Sequence, residues 1–231
     1  MKRMNSNRKT ARVVGALYLI LIFASIAGFF LIEAGLNAPD FLSDVDATKT
    51  QVVSGVSLEL INGIAVIGVA VLMFPLLRKE NEALALGYVA FRIMEVVIVV
   101  AAVISPLALI AVGQEYAKAG APDASSIQTL SISFLAVREI LVGQLTGIFY
   151  SLAALLFYYL LYRTRLVPRF FSIWGLIAVA MVFTGNLLGL FDISFDAGIV
   201  FALAIGLNEL FLGIWLIVRG FDSPTIASEP A

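Results

Sequence analysis

The sequence predicts an all-α protein, a six-helix transmembrane bundle with its N- and C-termini cytoplasmic. Three observations carry that expectation. Six stretches meet or approach the roughly 20 apolar residues that a helix needs to cross about 30 Å of hydrocarbon. Hydrophobic residues make up 61% of the 231 and charged residues only 13%, whereas soluble domains are nearer half apolar and a quarter charged. Eleven of the fifteen Lys and Arg fall in segments that six crossings place on one side, and Lys and Arg collect on the cytoplasmic side of a membrane.

The first span is expected near 12–33, behind the basic start Lys2, Arg3, Arg8, Lys9 and Arg12. Its apolar run is longer than the core of a secretory signal, so it reads as a retained helix. The second lies near 55–77 and ends at Arg78 and Lys79. The third, near 83–112, and the fourth, near 130–162, are long enough to tilt or to extend past the bilayer. The fifth lies near 168–191 and the sixth near 198–218. Arg163, Arg165, Arg169 and Arg219 complete the basic side, while only Lys49 and Lys118 fall in the outer segments. Trp174, Trp215, Tyr158, Tyr159 and Tyr162 lie at a shared depth on the basic side, as an interfacial aromatic belt would.

Between the spans the connections are short on the inner side. Residues 36–55 form the longest outer gap, within which Asn37 and Pro39 can start a short surface helix over 39–48. Residues 113–128 form a second outer connection. Pro106 is read as marking a helix end near the outer surface. Residues 1–220 make a single transmembrane domain, and the polar tail 221–231 reads as a loose cytoplasmic extension. The expected location is the cell membrane, as a multi-pass protein. Gly63, Gly68, Gly143, Gly147, Gly185, Gly189 and Gly206 would permit close helix contact, with Gly143/Gly147 and Gly185/Gly189 at small-xxx-small spacing.

Composition also removes chemistries. With neither His nor Cys, imidazole bases, thiolate nucleophiles and the usual zinc sites are excluded. A net charge of −1 without a basic tract argues against nucleic acid, whose binding needs clustered positive charge. No catalytic residue, no metal site and no cofactor is expected. Ser25 and Ser151 have no evident base and read as small side chains bonding back to their own helices.

What remains is charge where charge is costly. A charged side chain at mid-bilayer costs about 2.5–3.5 kcal/mol on insertion scales and marks a functional site by default. Six such residues fall within the spans: Glu59, Arg92, Glu95, Arg138, Glu139 and Glu209, with Asn62, Gln144, Asn186 and Asn208 as polar companions. Arg92 and Glu95 are three apart and share a helix face. Arg138 and Glu139 are adjacent and diverge by about 100° around the helix axis, so Arg138 is expected to reach Glu95 or Glu209. The depths converge on the middle and outer half of the bundle, which predicts an inward-facing polar cluster with an outward-opening cavity. The candidate binding residues are Glu59, Arg92, Glu95, Arg138, Glu139, Asn186, Asn208 and Glu209. Expected partners are membrane lipids and a small molecule, an ion or an anionic lipid headgroup. A helix-clamping scaffold and an intramembrane lipid-modifying enzyme are the alternatives, and nothing in the sequence sets an oligomeric state.

Four segments carry a resemblance: NRKTARVVGALYLI at 7–20, RIMEVVIVV at 92–100, LVPRFFSIWGLIA at 166–178 and NELFLGIWLIVRGF at 208–221. In this order and spacing the chain resembles an uncharacterised prokaryotic family of six-span membrane proteins that share a domain of unknown function. The resemblance implies six transmembrane helices and residence in a membrane, with no activity to carry over. Arg92, Glu95 and Glu209 are similar to polar positions that recur in that family.

Overall fold

An apolar chain in a membrane must satisfy its backbone hydrogen bonds within each segment, and helices do this. The computed structural model describes residues 2–37, 45–119, 124–193 and 198–222. Among the described residues every regular element is helical: α1 Lys2–Leu36, α2 Val45–Leu77, α3 Glu82–Ala102, α4 Ile104–Ala119, α5 Ala124–Glu139, a π-helical segment Ile140–Leu145, α6 Thr146–Thr164, α7 Arg169–Gly189 and α8 Gly198–Val218. They supply six stretches long and apolar enough to cross a membrane: Asn7–Leu36, Val45–Leu77, Glu82–Tyr116, Thr129–Thr164, Arg169–Gly189 and Val200–Val218.

The spans form a closed ring. Neighbours follow the order α1, α2, α3, α6, α7, α8, and α8 packs back on α1. Short turns at the basic end enforce antiparallel neighbours. Between α2 and α3, Asn81 caps α3 by accepting from the Leu84 amide at 2.9 Å, which satisfies an otherwise orphaned donor. Between α6 and α7, Arg165 takes the left-handed conformation at φ 53° and ends α6, and Pro168 begins the next helix.

Two apolar clusters hold the ring. The larger lies at the basic end and includes Tyr18, Met73, Leu77, Tyr88, Phe157, Tyr158, Leu161 and Leu216. The smaller lies at the far end, where Ile32, Leu36, Val45, Val52 and Val56 meet Val103, Leu109 and Ile110. Helix contacts are closest where glycine removes the side chain. A Cβ on Gly15 would stand 2.5 Å from the Gly213 carbonyl oxygen, so α1 and α8 touch backbone to backbone. Gly28 and Gly55 do the same for α1 and α2.

Several expectations need correction. The gap expected over 36–55 is largely helix: α2 begins at Val45, and the surface helix expected over 39–48 falls partly on 38–44, outside the described residues. The outer connection over 113–128 is mostly an α4–α5 helical hairpin, of which 120–123 lie outside the described residues. The third span breaks at Val103 rather than ending, and Pro106 sits in the first turn of α4, where its missing amide costs no helical bond. Tyr158 is not an interfacial ring. It is buried, and its hydroxyl donates to Asn208 Oδ1 at 2.9 Å. Gly143 and Gly206 face open space rather than a neighbouring helix.

Candidate functional site

Between the two apolar clusters each of the lining helices contributes to one cavity of about 640 Å³. On α1 the lining residues, Leu21 to Phe30, follow Tyr18 of the basic-end cluster and precede Ile32 of the far-end cluster. On α2 the order reverses, with Glu59, Asn62 and Val66 between Val56 and Val69. The polar residues therefore occupy one layer of the bundle. Buried polar groups cost several kcal/mol unless hydrogen-bonded, so a shared layer where they meet each other is the arrangement that a charged transmembrane sequence can tolerate.

Arg92 is the centre of that layer. Its side chain is only 6% exposed, and its Nη1 lies 2.9 Å from Glu95 Oε2. The i, i+3 spacing on α3 brings them together. Tyr88, one turn earlier, and Tyr150 of α6 place their rings against the guanidinium, with ring centroids 5.8 and 5.1 Å from its carbon. Such cation–π contacts stabilise a desolvated guanidinium by about 2 kcal/mol. The Tyr150 hydroxyl donates to Glu209 Oε1 at 2.9 Å, so α3, α6 and α8 are joined through one chain of contacts. Among the described residues, the buried Arg92 Nε and Tyr18 hydroxyl make no hydrogen bond.

At the far rim Arg138 of α5 is also buried, and its partner is Glu33 of α1, with Nη2 and Nε at 3.1 and 3.2 Å from Oε1. Neither Glu95 nor Glu209 takes that role. Glu59 stands nearby, half-buried and within the field of Arg138, with Asn62 three residues on along the same face of α2. The π-helical segment that follows Arg138 is stabilised by its own side chains. Thr146 donates to Leu141 O at 2.8 Å. With its amide nitrogen turned inward, Gln144 donates to Glu139 O and Ile140 O at 3.0 and 3.2 Å. π-Helical turns of this kind concentrate at functional sites.

The structure thus brings together Glu59, Arg92, Glu95, Arg138 and Glu209, all of which line the cavity. It does not bring in three others. Glu139 is exposed and lies outside the lining. Asn186 donates to Val182 O on its own helix at 2.8 Å and packs against Gly147. Asn208 is fully buried behind the wall, accepting from Tyr158 and donating to Phe171 O at 3.0 Å, so it clamps α6, α7 and α8. Glu33, Tyr18 and Tyr150 were not singled out in the sequence. Glu33 sits at the last residue of the expected first span, where a charge reads as solvated. In the structure α1 runs on to Leu36, and Glu33 lies within the helix beside Arg138.

The perimeter of the cavity is apolar and exposed on two helices: Ile26, Phe29 and Phe30 on α1, and Leu203 and Leu207 on α8. Among the described residues, the cavity therefore reaches the surface sideways, at α1 and α8, and the far-end cluster lies between it and the outer end of the bundle. Among the described residues no group of three or more carboxylates could hold a metal ion.

A family model described as a domain of unknown function, DUF4386, matches residues 13–220. The chain belongs to the DUF4386 family. Comparison with curated proteins and with solved structures gave no match. The matched stretch begins in the fourth turn of α1 and ends just past α8, so the DUF4386 domain takes in part or all of every helix of the ring and every residue of the charged layer.

Proposed function

We propose that this DUF4386 protein binds a small molecule within the membrane, through the Glu and Arg layer, and that transport is the sharper form of that activity. The carrying observation is the cavity of about 640 Å³ lined at once by Glu59, Arg92, Glu95, Arg138 and Glu209. Charges that serve only to clamp helices are expected to pair with no space beside them. Asn208, enclosed between three helices, has that character. The cavity residues do not: they border a space of the size that holds small ligands, mostly apolar with a few convergent polar groups.

The same reading places the protein in the cell membrane with its basic end in the cytoplasm, which the Lys and Arg bias supports. The mouth between α1 and α8 then faces lipid.

The test uses Gly206 of α8, which lines the cavity and has nothing within 4 Å of an added Cβ. Gly206→Phe would fill the space without displacing a backbone. Mass spectrometry on protein extracted gently from membrane should find a small molecule with the wild type and lose it with this variant, while both elute as folded protein. Equal small-molecule content in the two would overturn the reading.

A further inference from the structure

The charges in the layer do not balance, and the imbalance says what kind of molecule fits. Each guanidinium is already engaged by a carboxylate, Arg92 by Glu95 and Arg138 by Glu33. That leaves Glu59 and Glu209. Tyr150 donates to Glu209, and among the described residues neither carboxylate forms a direct ion pair, although Arg138 stands near Glu59 and Arg92 near Glu209. Among the lining residues three carboxylates face two guanidiniums, and Glu33 adds a fourth carboxylate at the rim. A carboxylate taken out of water without a cation is strongly disfavoured unless it gains a proton or a positive partner.

The second observation is the shape of the opening. Ile26, Phe29, Phe30, Leu203 and Leu207 are exposed along the perimeter, so a molecule whose polar end reaches the charged layer leaves its remaining length against apolar side chains and lipid.

Resting on the binding reading above, we propose that the ligand is a lipophilic amine: a single protonated nitrogen that is held by Glu209, on a hydrocarbon or aryl body that enters from the lipid between α1 and α8. Arg92 and Arg138 stay bound to their own carboxylates. They keep the layer from binding two cations at once, because like charges at close range disfavour a second. The aromatic layer of Tyr18, Tyr88 and Phe157, whose rings pack at 6.4 and 5.2 Å, closes the cavity toward the basic end, so the same lateral mouth serves for arrival and departure in this conformation.

The experiment uses the full chain in phosphatidylcholine nanodiscs and three photoreactive probes on one twelve-carbon chain: a primary amine, the matching alcohol and the matching phosphate. Cross-linked residues are mapped by mass spectrometry. The amine should label the perimeter residues about tenfold more than the alcohol, the ratio expected of one charge-assisted contact. Glu209→Gln should bring the amine down to the level of the alcohol, and Gly206→Phe should remove the labelling by both. Should the Gln variant fail to fold, the comparison of probes on the wild type and on Gly206→Phe still decides. Preference for the phosphate, which the free Arg92 Nε would favour, overturns the amine. Equal labelling by amine and alcohol that Gly206→Phe abolishes also overturns it, and leaves the binding reading standing. Labelling that is indifferent to Gly206→Phe reports annular lipid only and overturns the site for amphiphiles. The binding reading is then judged by its own extraction experiment.

Discussion

Arg92 shows how much one residue organises. It bonds Glu95, lies against two tyrosine rings and sits in the field of Glu209. Removing one partner of a buried pair strands the other, at about 3–5 kcal/mol. Arg92→Glu and Glu95→Arg should each lower the yield of monodisperse protein sharply. Together they should recover part of it, measured by fluorescence-detected size exclusion. Additive losses would argue against the pair. The recovery stays incomplete because Glu at 92 would face Glu209. Sequence spacing alone exposed this pair. It did not expose Arg138–Glu33, since 105 residues separate them and no local rule connects the end of one span to the middle of another.

A second residue lies outside the spans. Asp222 has its carboxyl raised above the ordinary value, mainly by burial and against the pull of Arg219. A carboxyl with a higher pKa folded than unfolded binds more protons in the native state. Its ionisation therefore removes stability as pH rises through the window between the two values. Asp222→Asn should raise the melting temperature slightly at neutral pH and leave it unchanged well below the ordinary carboxylate range. The Asn keeps the backbone bond from residue 222 to Leu166 O, 2.8 Å in the native chain. Thermal scans of both proteins across that range test the sign.

At the scale of elements the informative one is the π-helical segment. Hydrophobicity reads Thr129–Thr164 as one long helix, because an inserted residue within an apolar run leaves the average unchanged. The segment nevertheless decides which way Arg138 points, since one residue more or less turns everything before it by about 100°. Deleting Gly143, which contacts no neighbour through an added Cβ, should restore continuous α-helix and carry Arg138 away from Glu33. The expected outcome is a folded protein that no longer retains the small molecule on extraction. Retention equal to the wild type would remove the segment from the site. The break at Val103 is similar in kind. Pro106 signalled it, yet the signal could not tell a helix end from a change of direction.

At the scale of the molecule, six spans and their order of apolar blocks were legible because hydrocarbon length and backbone satisfaction leave few solutions. Membership of the charged layer was legible only in part. Asn208 and Glu139 have the depth of the others, and one is sealed between helices while the other faces outward, a difference that helix rotation sets and composition does not. The ring itself closes where glycines permit. Gly15→Val places its Cβ against the Gly213 carbonyl, and overpacking of that kind costs about 1–3 kcal/mol. It should separate α1 from α8 at the basic end and lower the thermal midpoint, whereas Gly206→Ala should leave it nearly unchanged.

On the proposed binding reading, the Gly15–Gly213 contact would act as the pivot of a clothes-peg. The two helices are pinned at one end, so any small rotation about that point spreads their other ends and leaves the pinned ends in register. Swelling of the lateral gap would then admit a bulkier guest while the aromatic layer beneath stayed shut. A loading step of this design would proceed without ever opening a continuous path from one side of the membrane to the other.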